Sequence, residues 1–371
     1  MNQAGFEGLR AAAPQRRPFI VSRSGWAGMQ RWAWNWTGDV SSTWESMRQQ
    51  IATVVGLGLS GIPYSGSDIG GFSGVPDDEL YLRWLQMSVC MPYCRTHSVR
   101  GVPPREPWCF GEPTKRILAS WIRFRYRLLP YLYTLAHLAS ESGVPLIRPL
   151  WWPDVDIDVD DAFLVGHALL VAPVTEPGAR ERTVPLPPGG WASVWGDGRV
   201  GAAPVHAPLE RIPVLARAGC VVPLDDGWAE PGGPCHVEGD SAGTTVAGAG
   251  GIGIGVALDH APRLLAFHCW ADEDGVATGV CVDDAGDGDG PTRRDDVRVE
   301  EARPGATARC TWERSGDFPA PPVVRVVLHG LSVTRAVADG VEVPVTGAGV
   351  ECAAFSELTL EGLAPAAPAG A

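Results

Sequence analysis

Basic residues are in deficit: 30 Lys plus Arg stand against 43 Asp plus Glu, a net charge of -13. A chain charged in this way repels a phosphate backbone, so nucleic acid is excluded as an expected partner. Long apolar runs are missing as well. No stretch approaches the roughly eighteen uninterrupted apolar residues of a membrane span, and Met1 to Arg17 lacks the apolar core of an export signal. The expectation is a cytoplasmic protein without a membrane partner. The nine cysteines (Cys90, Cys94, Cys109, Cys220, Cys235, Cys269, Cys281, Cys310 and Cys352) lack the paired C-x-x-C spacing of a zinc site. No metal or other cofactor is expected, and the thiols read as reduced.

At 371 residues the chain exceeds what one compact core usually organises, so two or three domains are expected. Over residues 1–143 short apolar runs alternate with helical periodicity, the pattern of βα units around a parallel sheet. Strands are expected at Pro18 to Ser22, Gly61 to Ser65 and Val89 to Tyr93. A capping box, Ser42-x-x-Glu45, opens a helix bearing Trp44, Met47, Ile51 and Val54 that ends in Gly56 and Gly58. Pro76-Asp77-Asp78 opens another, with Leu80, Trp84 and Met87 as its apolar positions. A long helix from Thr114 to about Ser142 is basic on one side, through Lys115, Arg116, Arg123 and Arg127, and aromatic-rich on the other. Residues 144–224 read as strands separated by Pro and Gly turns, at 168–174, 182–186 and 214–222, which gives a proximal β-sandwich. Residues 225–255 are dense in Gly, Ala and Ser and read as a linker or long loops. Residues 256–363, with β-runs at 323–328 and 356–360, read as a distal β-sandwich, and 364–371 as a disordered tail.

Fifteen tryptophans stand out, five of them (Trp26, Trp32, Trp34, Trp36 and Trp44) within nineteen residues. Asp39 lies between an apolar strand and a capped helix, on the loop that in a (β/α)8 barrel belongs to the catalytic face. Asp68 follows the second strand and His97 the third, so topology alone brings three polar groups to one rim. Glycoside cleavage needs an acid to protonate the departing oxygen and, in retaining enzymes, a second carboxylate about 5 to 5.5 Å away. Aromatic faces stack on sugar C–H faces, while Arg23 and Asp68 can make paired hydrogen bonds to adjacent hydroxyls. Taken singly these residues have plainer readings: Asp39 as a helix cap, Trp32 and Trp34 as barrel packing, Trp44 and Trp84 as helix core, His97 as a buried hydrogen-bonded histidine.

The runs Arg17-Pro18-Phe19-Ile20-Val21-Ser22-Arg23-Ser24, Trp36-Thr37-Gly38-Asp39-Val40, Gly66-Ser67-Asp68-Ile69-Gly70-Gly71-Phe72, Arg83-Trp84-Leu85-Gln86 and Pro92-Tyr93-Cys94-Arg95-Thr96-His97 resemble glycoside hydrolase family 31 in order and spacing. The resemblance continues through Arg125 to Tyr133, Arg148-Pro149-Leu150, Phe163 to Gly166 and Leu170 to Val174. It weakens after Pro223, where Asp283-Asp284-Ala285-Gly286 looks like the acidic turn of the family's distal sandwich. What it implies is a retaining α-glycosidase of glucosidase or xylosidase type, acting on an α-linked oligosaccharide or glycoside. On that reading Asp39 is the general acid/base, Arg23 and Asp68 bind hydroxyls, His97 hydrogen-bonds the sugar, and Trp36 and Phe72 wall the subsite. Desolvation by an aromatic wall would favour the protonated acid that such a donor needs.

The family's nucleophile, an Asp in a Trp-x-Asp-Met-x-Glu-like strand end, has no counterpart here; Trp151-Trp152-Pro153-Asp154 is similar only superficially and follows the last barrel helix. The family's N-terminal β-domain and first barrel strands are also unmatched. The expected fold is therefore α/β plus all-β: the C-terminal half of a (β/α)8 TIM barrel over 1–143, followed by two β-sandwich domains. The expected origin is a truncated or split gene product, or a chain completed by a separate N-terminal half chain, with little hydrolysis by the chain alone. The alternative is a noncatalytic carbohydrate-binding or assembly module, or an inactive remnant. Two signals are set aside. Gly56 to Gly61 matches G-x-G-x-x-G, but follows a helix and precedes a strand. The acidic run Asp154 to Asp161 lacks the glycine and terminal Glu of a calcium loop.

Overall fold

The computed structural model describes residues 1–152, 159–196, 198–229, 264–347 and 349–366. Most of the expected 225–255 linker, and Asp154 with most of the acidic run after it, fall outside the described residues.

The first unit is built from helices α1 (Asn2–Ala12), α2 (Trp44–Leu59), α3 (Asp78–Ser88) and α4 (Thr114–Ser142). Four extended segments lie side by side between them. Ser22 N–H donates to Trp34 O and Trp34 N–H to Ile20 O; Asn35 and Thr37 donate to Tyr64 and Gly66; Tyr93 donates to Ser65 O. The bridges Val21 to Trp34 and Asp68 to Arg95 are parallel. The pairing is too short to make regular strands, so the expected runs at 61–65 and 89–93 are not continuous, and Val89 instead caps α3. Asp39 follows its own extended segment, Trp34 to Thr37, rather than a continuation of the segment at 18–22. Helix α1 buries none of its residues fully and escaped the sequence reading.

Local chemistry sets the helix ends. The cap of α2 is Thr43, whose hydroxyl accepts from Ser46 N–H; Ser42, expected in that role, donates to Ser73 O. Gly56 and Gly58 do not stop α2. A Cβ on Gly58 would stand 3.0 Å from Pro145 Cβ and 3.2 Å from Ile147 O, so this glycine serves close approach to the next sheet. Asp77 caps α3 through Leu80 N–H, as expected. Met47, Ile51, Leu85 and Met87 are buried in one core with Trp84 and Trp121, each aliphatic side chain worth about 1.5–3 kcal/mol. Arg127 was assigned to the basic face of α4; it is buried and paired with Asp226.

After Gly143 a five-stranded antiparallel sheet forms from β1 (Ile147–Arg148), β2 (Phe163–Val165), β3 (Leu169–Val171), β4 (Trp191–Ser193) and β5 (Val214–Arg217), in the order β1-β2-β3-β5-β4. The run expected as one strand at 214–222 is two. Its second part, β6 (Cys220–Asp225), pairs instead with β7 (Leu265–Trp270) in an eleven-stranded sheet. There β8 (Ala277–Asp284), β9 (Thr292–Glu300) and β10 (Ala308–Ser315) form one arm, and β7 with β11 (Val324–Leu328) the other. Phe267 and Val326 from one arm and Val299 and Trp312 from the other share a core. Ala364–Pro365, assigned to a disordered tail, pairs with Leu331–Ser332. The seam with the first unit is polar at its centre: the guanidinium of buried Arg83 donates to the carbonyls of Ala179, Ala207, Pro208 and Arg211.

Candidate active site

The loops at the C-terminal ends of the parallel segments carry every residue singled out from sequence. Asp39 is 47% exposed at its side chain and is ion-paired with Arg23. Arg23 lies over the Trp36 ring at 5.4 Å, and Arg95 over the same ring at 5.2 Å. Arg95 in turn donates through Nε, at 2.9 Å, and Nη2, at 2.6 Å, to Asp68 Oδ1. Phe72 and His97 face each other with ring centroids 5.5 Å apart. Arg95 thus links Asp68 to Trp36, Arg23 and Asp39, and Phe72 with His97 forms a separate contact pair on the adjoining loops.

The loops are fixed by backbone and core. Val40 O, next to Asp39, accepts from both Phe72 N–H (2.7 Å) and Ser73 N–H (3.1 Å), which ties the acid loop to the glycine-rich loop. Gly71, at φ +82°, packs where a Cβ would meet the Ser41 and Ser42 backbone at 2.7 Å, so only glycine allows this approach. Arg105 donates to the carbonyls of Gly70, Gly71 and Gly74 and holds that turn from below. From α3, Trp84 Nε1 donates to Ser67 Oγ at 2.9 Å, and Tyr81 OH meets Thr96 Oγ1, beside His97, at 3.0 Å. Arg125 on α4 donates to Val89, Met91 and Pro92 carbonyls and positions the last segment.

Burial pushes the Asp68 carboxyl above its ordinary range; Arg95 and His97 pull it down and Asp39 adds to the rise, but burial prevails. Three polar atoms of the rim, Trp36 Nε1, Thr37 Oγ1 and Asp68 Oδ2, are buried without a hydrogen-bond partner among the described residues. Such atoms are uncommon and mark a place where a ligand or water can complete the network. The desolvation expected around Asp39 is missing, because its neighbour is a guanidinium and its side chain is half open to solvent. Sequence reading gave no role to Arg95 or Arg105. The one available signal for Arg95 was a buried Asp in need of a cation.

Two family descriptions match the chain: the glycosyl hydrolases family 31 TIM-barrel domain over residues 1–135 and the glycosyl hydrolase family 31 C-terminal domain over residues 143–222. The chain belongs to glycosyl hydrolase family 31. Alpha-glucosidase 2 of Bacillus thermoamyloliquefaciens is 38% identical over 233 residues, 61% of this chain and 30% of the enzyme; human neutral alpha-glucosidase C is 40% identical over 230 residues, 59% and 25%. The family 31 chain thus spans less than a third of the length of these relatives. Among solved structures, a family 31 dextranase of Flavobacterium johnsoniae complexed with glucose superposes with a TM-score of 0.79 at 23% identity, over 97% of this chain and 48% of its own. A family 31 alpha-xylosidase of Xanthomonas citri gives 0.73 at 27% identity, over 95% and 38%. Both superpositions run through the eleven-stranded sheet, beyond the last residue of the family match.

Proposed function

We propose that these 371 residues form the C-terminal portion of a retaining α-glycosidase, with half of a (β/α)8 barrel followed by two sandwich-like modules. Asp39 acts as general acid/base. Arg23 and Asp68 hold sugar hydroxyls, His97 is a hydrogen-bond partner of the sugar, and Trp36 and Phe72 form the walls. The observation that carries this reading is the contact chain Asp39–Arg23–Trp36–Arg95–Asp68, set beside Phe72 and His97 on one rim. A proton donor, hydroxyl acceptors and aromatic faces within one loop cluster are what glycoside cleavage needs from one side of the bond. The attacking carboxylate comes from residues outside these 371. The substrate is an α-linked oligosaccharide or glycoside of glucoside or xyloside type, a reading supported by the glucosidase, dextranase and xylosidase names of the relatives.

Arg23 occupies Asp39 Oδ1 in this structure, so a substrate must displace that contact before the acid can face the leaving oxygen. The chain alone is expected to turn over no substrate. Produced with the segment that supplies the nucleophile, it should hydrolyse aryl α-glycosides, and Asp39→Asn should lower the rate on poor leaving groups by about 10²–10⁴. An Asp39→Asn enzyme as active as the parent refutes the assignment. The second reading, a noncatalytic sugar-binding module, is favoured by the exposure of Asp39 and its engagement with Arg23; it predicts saturable saccharide binding by the chain with no turnover in any combination.

A further inference from the structure

The five-stranded sheet carries a second concentration of positive charge, which shares no residue with the rim. Arg148 at the end of β1, His167 in the turn between β2 and β3, and Arg217 at the end of β5 border a cavity of about 460 Å³ walled by Trp152, Pro187 and Pro188. Arg148 donates through Nε to Pro145 O at 2.8 Å. Arg217 donates through Nε to His167 O at 3.0 Å and through Nη1 to Pro188 O at 3.1 Å, while its guanidinium lies over the Trp191 ring at 4.5 Å. Both Nη groups of Arg148 and Nη2 of Arg217 make no hydrogen bond among the described residues, and neither arginine pairs with a carboxylate there. Arg17, Arg127, Arg293 and Arg325 all do. In a chain of net charge -13 such unanswered cations need a reason.

We propose that this cavity binds a phosphate group, either free or carried on a sugar. Planar guanidinium forks match an oxyanion with two parallel N–H···O bonds. A phosphate dianion answers both arginines, whereas a carboxylate answers one. The cavity is larger than the anion requires, and the Trp152 ring with the two proline rings offers faces for sugar C–H groups.

The test is calorimetric titration of the 371-residue protein with inorganic phosphate, a hexose phosphate and the unphosphorylated hexose, at constant ionic strength in chloride. Saturable binding of phosphate or hexose phosphate, but not of hexose, is expected, and Arg148→Met should weaken it at least about tenfold. Arg148→Lys keeps the charge and loses the fork, so it should fall between the two. His167→Gln should weaken binding less than Arg148→Met. Melting temperatures of the free variants within a few degrees of the parent show that the loss lies in binding. A hexose phosphate about tenfold tighter than inorganic phosphate assigns the site to the sugar-borne group, and equal affinity assigns it to the free anion. No saturable heat from either phosphate at about 10 mM, or binding unchanged in Arg148→Met, overturns the proposal.

Discussion

Two donors of Arg95 converge on one oxygen of a fully buried carboxylate, and this pair is the most sensitive point of the rim. Arg95→Met would leave Asp68 without its cation, and urea unfolding should show a loss of about 3 kcal/mol. Adding Asp68→Asn should recover most of it, since the cost arises from the stranded charge. The pH dependence has a defined sign. With its carboxyl held above the ordinary range, the folded state takes up a proton at Asp68 more readily than the unfolded chain. This group therefore adds stability as pH falls toward the ordinary carboxylate range, and Asp68→Asn should remove that contribution. The motif around Asp39 was legible because it is local in sequence. The partners of Asp39 and Asp68 were not, because which of Arg23 and Arg95 faces which carboxylate depends on how separate segments align.

At the scale of elements, α3 was readable from its cap and period and α4 from its length and two-sided composition, whereas the barrel segments hold two or three paired residues each and give no sustained alternation. The inner face of α4 was misread for a physical reason. Periodicity places Arg127 on a helix side, but only the tertiary partner Asp226, in the turn after β6, explains its burial. Around Asp226 gather Arg127, Arg325 at 2.9 Å and His268 at 3.1 Å, and His268 Nδ1 meets His329 Nε2 at 2.8 Å. Burial, and next His268, hold His329 well below the ordinary imidazole range. Unfolding lets it take up a proton near its ordinary value of about 6.5, so the seam between α4 and the large sheet should lose stability as pH falls through that value. The urea midpoint should drop between about pH 7.5 and 5.5, with His329→Phe flattening the slope.

Over the whole molecule, α4 ends at Ser142 and the first strand of the five-stranded sheet begins at Ile147. The assignment of β6 to the larger sheet was not legible, since strand partners far apart in sequence leave no local trace. Among the described residues, the segment at Ile20 to Ser22 is bonded on the side of Trp34, while Phe19 and Trp26 are 61% and 85% exposed. Open sheet edges and exposed aromatics favour association. Sedimentation should show the chain self-associating in the micromolar range, and Phe19→Ser with Trp26→Ser should shift it toward monomer without lowering its melting temperature by more than a few degrees.

One connection governs how the two β-modules behave together. Ala218 N–H donates to Gly190 O at 2.8 Å, and the next amide, of Gly219, donates to Trp270 O at 2.7 Å. Neighbouring peptide units are thus anchored in different sheets, with no slack chain between them. A protease finds nothing to grip at that crossing, and a gene fusion or deletion that cuts there would tear both modules instead of parting them.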